Sequence, residues 1–171
     1  MQTIILVRRV ILIALGSNLP SRAGSSRETL RAALSKLAQN GVVPLQVSAF
    51  YATPAWPDPA DPSYVNAVAC VKTSLAPDAL MARLHDVERN FGRARGARNA
   101  PRTLDLDLLD YDGRIESGPP VLPHPRIAQR AFVLVPLADV APLWKHPVSG
   151  RTVRALIAAL PEHETKIARL D

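Results

Sequence analysis

Val10-Ile11-Leu12-Ile13-Ala14-Leu15-Gly16-Ser17-Asn18 is the stretch on which the fold turns. A short apolar run closed by Gly-Ser-Asn reads as a buried strand entering a tight turn. Upstream, Ile4 to Leu15 is largely apolar, but Arg8 and Arg9 interrupt it. What remains is too short to span a bilayer, and it lacks the order of a signal peptide. A cytoplasmic protein is the expectation. A helix follows the strand. Ser25 and Glu28 have capping-box spacing, Leu30, Ala33, Leu34 and Leu37 form one apolar stripe, and Asn40-Gly41 stops it. Val42 to Thr53 reads as a second strand, with Val43, Leu45, Val47 and Ala49 alternating against more polar neighbours.

The same order then recurs. Tyr64 to Thr73 is a third strand; Pro77 opens a second helix with Leu80, Leu84, Val87 and Phe91 on one face; Leu104 to Tyr111 is a fourth strand. Asp112-Gly113 is a hairpin turn into a short fifth strand, Arg114 to Glu116. Ile127 to Val140 reads as short helices or a helix and a strand, and Thr152 to Leu160 as a small terminal helix. Strand–helix–strand twice over is the order of two split βαβ units. The expected class is α+β and ferredoxin-like, a mostly antiparallel sheet with helices packed on one face. One domain is expected over residues 10–160, with an N-terminal extension at 1–9 and a C-terminal tail at 161–171.

Composition narrows the function. The chain has 171 residues, enough for one domain with a real core. Its single cysteine, Cys70, excludes a disulfide framework and, lying in an apolar run, reads as a strand residue. The net charge is +6, and 17 of the 21 basic residues are arginine, which favours fixed recognition of phosphate or carboxylate. Of the 16 prolines, eight fall in residues 54–62 and 119–125, marking two stiffened loops. Neither a Walker loop nor a G-x-G-x-x-G turn is present, so P-loop and Rossmann folds fit poorly.

The chemistry concentrates around Arg102-Thr103-Leu104-Asp105-Leu106-Asp107. On a strand, Asp105 and Asp107 share one face and the leucines between them the other. A D-x-D pair alone is ordinary on a half-exposed strand. Here it follows Arg93, Arg95, Arg98 and Arg102, with no acid between Gly92 and Thr103. Carboxylates for a hard divalent cation beside uncompensated arginines are the composition of a clamp for a metal-bound polyphosphate.

Arg98-Asn99-Ala100-Pro101-Arg102-Thr103-Leu104-Asp105-Leu106-Asp107-Leu108-Leu109 closely resembles the signature of the 6-hydroxymethyl-7,8-dihydropterin pyrophosphokinase family. The resemblance runs in the same order from about Val10 to Leu160. It includes Ala14 to Leu19, Ser48 to Pro54, Tyr64 to Ala67, Glu88 to Arg93, Pro123 to Arg126 and Arg130 to Leu137. It implies a ferredoxin-like fold and transfer of pyrophosphate from ATP to the pterin hydroxymethyl group, releasing AMP. By the same resemblance, Asp105 and Asp107 hold two Mg²⁺ ions, and Arg93 and Arg102 engage the triphosphate in catalysis. Arg95, Arg98, His124 and Arg130 belong to the ATP side. Thr53, Pro54, Tyr64, Asn66 and Phe132 belong to the pterin side, with Phe132 stacking on the ring. The partners implied are ATP and 6-hydroxymethyl-7,8-dihydropterin; no nucleic acid, no membrane and a monomeric protein are expected. Asn99-Ala100 stands where the family often has Trp-Gly, and the loop is one residue shorter between Arg95 and Arg98. Gly118-Pro119-Pro120 replaces a stretch that can carry a basic ATP contact, so altered loop closure and ATP affinity are expected.

Read from the residues alone, Phe132 suits a core position and His124 a loop, while Glu88 suits a helix ion pair. A basic ferredoxin-like sheet is also an RNA-recognition architecture. That alternative calls for exposed aromatics interleaved with basic residues on neighbouring strands; no such motif is present, and aromatics total 5%.

Overall fold

The computed structural model describes residues 10–55, 58–93, 101–165 and 167–170. β1 (Ile11–Ser17) is central, hydrogen-bonded antiparallel to β4 (Tyr64–Lys72) on one side and β5 (Asp105–Tyr111) on the other. Beyond β4 lie two short strands placed end to end, β2 (Val43–Val47) and β3 (Tyr51–Thr53), and β6 (Ala168–Arg169) pairs with β3. The order is β5-β1-β4-β3-β6, with β2 beside β4, and every pairing is antiparallel. α1 (Ser26–Gln39) connects β1 to β2, and α2 (Pro77–Asn90) connects β4 to β5. The two split βαβ units of the ferredoxin-like plan are therefore present.

The local signals act as read. Ser25 and Glu28 form the capping box: the Glu28 amide donates to the Ser25 hydroxyl, and the Ser25 amide donates to Glu28 Oε2 at 2.7 Å. Leu30, Ala33 and Leu37 of α1 and Leu80, Leu84 and Val87 of α2 pack on Ile11, Ile13 and Leu15 of β1 and Leu106 and Leu108 of β5. Truncating one of these leucines to alanine costs about 2–5 kcal/mol, because the transfer energy is lost and a cavity remains.

Helices cover both faces of the sheet, not one. After a single 3₁₀ turn (Ile127–Gln129) come α3 (Ala131–Val140) and α4 (Val153–Ile157), and their Val133, Leu134, Leu137, Val153 and Leu156 form a second core with Leu12, Val68 and Leu109. The reason is in the central strands, which are apolar on both sides and must bury both. Cys70 packs at the edge of this second core. A register shift supports it. Leu12 lies opposite Asp110 and Ile13 opposite Leu108, so Leu109 is an extra residue in β5. The bulge turns both Leu109 and Asp110 to the second face, where Asp110 accepts from Trp144 Nε1 at 2.6 Å.

Three other expectations change. The strand expected over Val42 to Thr53 breaks at 48–50, where Ser48 bonds to Val68 through both its amide and its hydroxyl, and the Ala49 amide turns to Asp139 Oδ2 on α3. The Asp112-Gly113 turn forms, with φ of 54° and 72°, but its return arm shrinks to one bridge between Glu116 and Leu122. Pro119 and Pro120 have no amide hydrogens with which to extend a ladder. The terminal helix shortens to α4, and the stretch expected as a tail adds α5 (Glu162–Thr165) and β6, a strand of the sheet.

Candidate active site

The second face of the sheet is covered at one end only. Going along β1, β4 and β5 from the covered end, the residues pointing to this face change together. Leu12, Val68 and Leu109 give way to Ala14 and Gly16, Asn66 and Tyr64, and Asp107 and Asp105. The pairing sets Gly16 between Asn66 and Asp105, and Ala14 between Val68 and Asp107. Small residues on the central strand thus leave a depression between taller side chains. It is a cleft of about 340 Å³, floored by Ala14 and Gly16 and closed on one flank by Phe132 and Val133 at the start of α3. A methyl group on Gly16 would meet Asn66 Oδ1 at 3.3 Å, so the floor accepts no side chain without moving that amide.

Nine residues singled out from the sequence line this one cleft: Thr53, Pro54, Tyr64, Asn66, Arg102, Asp105, Asp107, Arg130 and Phe132. Asn66 Nδ2 donates to Thr53 Oγ1 at 2.8 Å, which leaves Asn66 Oδ1 directed toward Gly16. Phe132, suited to the core when read alone, is 37% exposed, so its ring is available at the cleft; the Arg130 guanidinium lies 5.5 Å from its centroid. His124 touches the same group from the side, with Nε2 3.9 Å from Asp107 Oδ2. Its Nδ1 accepts the Arg126 amide at 3.1 Å, which assigns the ring proton of the neutral form to Nε2. Arg95 and Arg98 lie outside the described residues, as does Asn99-Ala100.

The electrostatics centre on the two carboxylates. Asp105 Oδ1 takes Arg93 at 2.8 Å and Arg102 at 3.1 Å, and Asp107 Oδ2 lies 3.6 Å from Arg130. Burial raises the Asp107 pKa and the neighbouring Asp105 charge raises it further, while His124 and Arg130 pull it back. Burial opposes the charge on Arg102, yet Asp105, by charge and hydrogen bond, more than offsets it and the Arg102 pKa is raised. Burial lowers the pKa of His124 and of Arg130, with Asp107 acting in the opposite sense on each. A buried carboxyl beside a second carboxylate favours a cation between or beside them. Among the described residues no cluster of three or more metal-binding side chains exists. Two carboxylates on one strand face, lining a cleft, fit Mg²⁺, which commonly takes one or two protein carboxylates and completes its octahedron with phosphate oxygens and water.

The sequence reading left four residues of this site without a role. Gly16 and Arg126 line the cleft. Asn18 is buried and joins three segments: its Oδ1 accepts the Arg102 amide at 2.8 Å, its own amide donates to the Arg102 carbonyl, and its Nδ2 donates to the Pro62 carbonyl at 3.1 Å. The Gly-Ser-Asn turn was the available signal, since a buried asparagine beside a turn supplies backbone contacts. Glu88 is 3% exposed and is no surface ion pair. It accepts the Leu106 amide at 2.7 Å and the Arg93 guanidinium, and burial pushes its pKa up to about 7.

A family profile described as 7,8-dihydro-6-hydroxymethylpterin-pyrophosphokinase (HPPK) matches residues 12–142. The chain is 39% identical over 147 residues to a 2-amino-4-hydroxy-6-hydroxymethyldihydropteridine pyrophosphokinase of Synechocystis, covering 85% of this chain and 73% of that one. It is 39% identical over 160 residues to the Pseudomonas aeruginosa protein of the same name, covering 91% and 94%. Among solved structures, a Plasmodium falciparum HPPK-DHPS chain superposes with a TM-score of 0.64 at 15% identity, a likeness of fold. That match covers 91% of this chain and 45% of the Plasmodium chain, so this protein spans under half the length of that relative.

Proposed function

The chain belongs to the 7,8-dihydro-6-hydroxymethylpterin-pyrophosphokinase family, ATP-dependent enzymes of folate biosynthesis, and we propose that the cleft above Ala14 and Gly16 is where its pyrophosphate transfer takes place. The observation that carries this placement is the pair Asp105 and Asp107, aimed into one cleft between a cationic wall and an aromatic, amide-bearing wall. The pterin lies on the Phe132 side, with its ring against that side chain, its polar edge at Asn66, and Thr53, Pro54 and Tyr64 around it. ATP lies on the other side, its triphosphate toward Arg93, Arg102, His124 and Arg130, and Arg95 and Arg98 are assigned to the same ligand. Asp105 and Asp107 offer four oxygens for two Mg²⁺ ions, which when bound draw charge from the triphosphate.

The pterin hydroxyl oxygen attacks the β-phosphorus in line, and the bond to the α–β bridging oxygen breaks. AMP leaves with that oxygen, and the hydroxyl proton passes to solvent. Phosphoryl chemistry of this kind asks the protein for position and charge neutralisation more than for a base. With Mg²⁺ held by the two carboxylates, Arg102 would turn to the phosphates, and Arg93, kept by Glu88, would offer its remaining N–H groups.

The reading includes a single domain from about residue 10, with residues 1–9 an extension, acting in the cytoplasm as a monomer without nucleic acid. No helix among the described residues is long and apolar enough to cross a membrane. The RNA-binding alternative has no support: helices cover one face of the sheet and one end of the other, and the open end presents Asp105 and Asp107 where bases would stack. The test is AMP release with ATP, Mg²⁺ and 6-hydroxymethyl-7,8-dihydropterin. AMP appears only when all three are present; release without the pterin, or with chelator in excess, overturns the reading.

A further inference from the structure

Asp105 faces a conflict that the cleft alone does not resolve. To hold a cation it must give up two arginines, and its hold on Arg93 at 2.8 Å is short and charge-assisted. Arg93 NH1 is shared, however, between Asp105 Oδ1 and Glu88 Oε1. The two acceptors differ in setting: the Glu88 side chain is 4% exposed and that of Asp105 29%. Once ionised, the carboxylate better screened from water is the stronger competitor for a shared donor. Glu88 is also held in place. It sits in the last turn of α2, its Oε1 takes the outward Leu106 amide of the edge strand β5, and its carbonyl takes the Arg93 amide at 3.1 Å. Arg93 is therefore tied to Glu88 through main chain and side chain together.

We propose that Glu88 is a positioning residue that retains Arg93 and so keeps Asp105 available to the metal ion. This rests on the assignment of Asp105 and Asp107 to Mg²⁺ above. The role is electrostatic and local. Take away the Glu88 charge, and Asp105 becomes the anion that Arg93 keeps, in direct competition with the cation. Take away Arg93, and the demand on Asp105 falls whether Glu88 is charged or not.

Glu88→Gln separates this role from a structural one, because the amide oxygen still accepts the Leu106 N–H. Calorimetric titration with Mg²⁺ and a non-hydrolysable ATP analogue reads the metal–nucleotide site. Pterin fluorescence in chelator reads the other half of the cleft, and thermal melting reads the fold. The expected result is about tenfold weaker Mg²⁺–nucleotide binding, the size of one lost charge-assisted hydrogen bond, with pterin binding unchanged. In the Arg93→Gln background, adding Glu88→Gln makes no further difference to Mn²⁺ binding measured without nucleotide. Unchanged Mg²⁺–nucleotide binding in Glu88→Gln overturns the proposal, as does a parallel loss of pterin binding and melting temperature. Should Glu88→Gln fail to fold, the single Arg93→Gln variant decides. Titrated with Mn²⁺ alone, it binds the ion more tightly than the wild type, and equal or weaker binding overturns the proposal. A wild-type protein that binds no Mg²⁺–nucleotide at all fails the functional assignment instead.

Discussion

At one end of the second sheet face, β1, β4 and β5 present Leu12, Val68 and Leu109 to helices α3 and α4; at the other they present Gly16, Asn66 and Asp105 to open space. Strand β5 carries carboxylates into both environments. Asp110 is 2% exposed, and its oxygens take the Trp144 indole N–H at 2.6 Å and the Gly113 amide at 2.9 Å. Among the described residues, Asp105 pairs with Arg93 and Arg102, and Asp107 with Arg130 and, more distantly, His124. The same side chain on the same strand is a bracket where neutral donors surround it and a ligand where mobile cations do. A neutral donor fixed by packing has nowhere else to go. An arginine with a rotatable stem can be exchanged for a metal ion or a phosphate.

Substitutions at the two ends should therefore separate turnover from stability. Asp107→Ala produces the largest change: AMP release falls roughly a thousandfold, the scale of several kcal/mol of lost charge stabilisation. Its melting temperature stays at or above that of the wild type, because a carboxyl whose pKa burial has raised is removed. Asp110→Ala does the reverse. It strands two buried donors and lowers stability in urea unfolding by about 3 kcal/mol, while turnover per folded molecule stays within about twofold. Gly16→Ala acts on the open end without touching charge. The methyl group displaces Asn66 Oδ1, and pterin affinity measured by fluorescence falls about tenfold, in line with the usual cost of overpacking.

The smallest effect is on the pH dependence of stability. Burial raises the Asp110 pKa above its ordinary 3.8, with the Trp144 and Gly113 hydrogen bonds opposing. The folded protein thus binds this proton more tightly than the unfolded chain does, and stability through Asp110 is lost as pH rises through the window above 3.8. Unfolding measured across that window shows the wild type losing ground against Asp110→Asn as pH increases. A difference that grew in favour of the wild type would show that the Trp144 and Gly113 hydrogen bonds outweigh burial at Asp110 and would overturn this direction.

Much of this was legible in the residues. Ser25-x-x-Glu28 announces the start of α1, the leucine stripes announce α1 and α2, and the Asp105/Asp107 alternation by itself puts both carboxylates on one face. These are local signals, carried by spacing within one element. The signals that failed were not local. Val42 to Thr53 looks continuous, and only contact with Val68 and Asp139 explains its break. Ala131-Phe132-Val133 reads as core throughout, yet the helix rotates Val133 inward and leaves Phe132 at the cleft. Glu88 resembles any helix glutamate until α2 packs beside the edge of β5 and the Leu106 amide reaches it.

By itself, the sequence determined the order of elements, the apolar surface of each, and the chemistry of the Arg93 to Asp107 segment. Those properties depend on neighbours one to four residues away, and a chain carries them wherever it goes. Tertiary structure decided that the sheet is covered on both faces and that the second cover stops short over Ala14 and Gly16. It also decided which carboxylate is capped by Trp144 and which is left to cations. Each of these is settled by contact between residues tens of positions apart, where burial and hydrogen-bond satisfaction depend on what arrives from elsewhere in the chain.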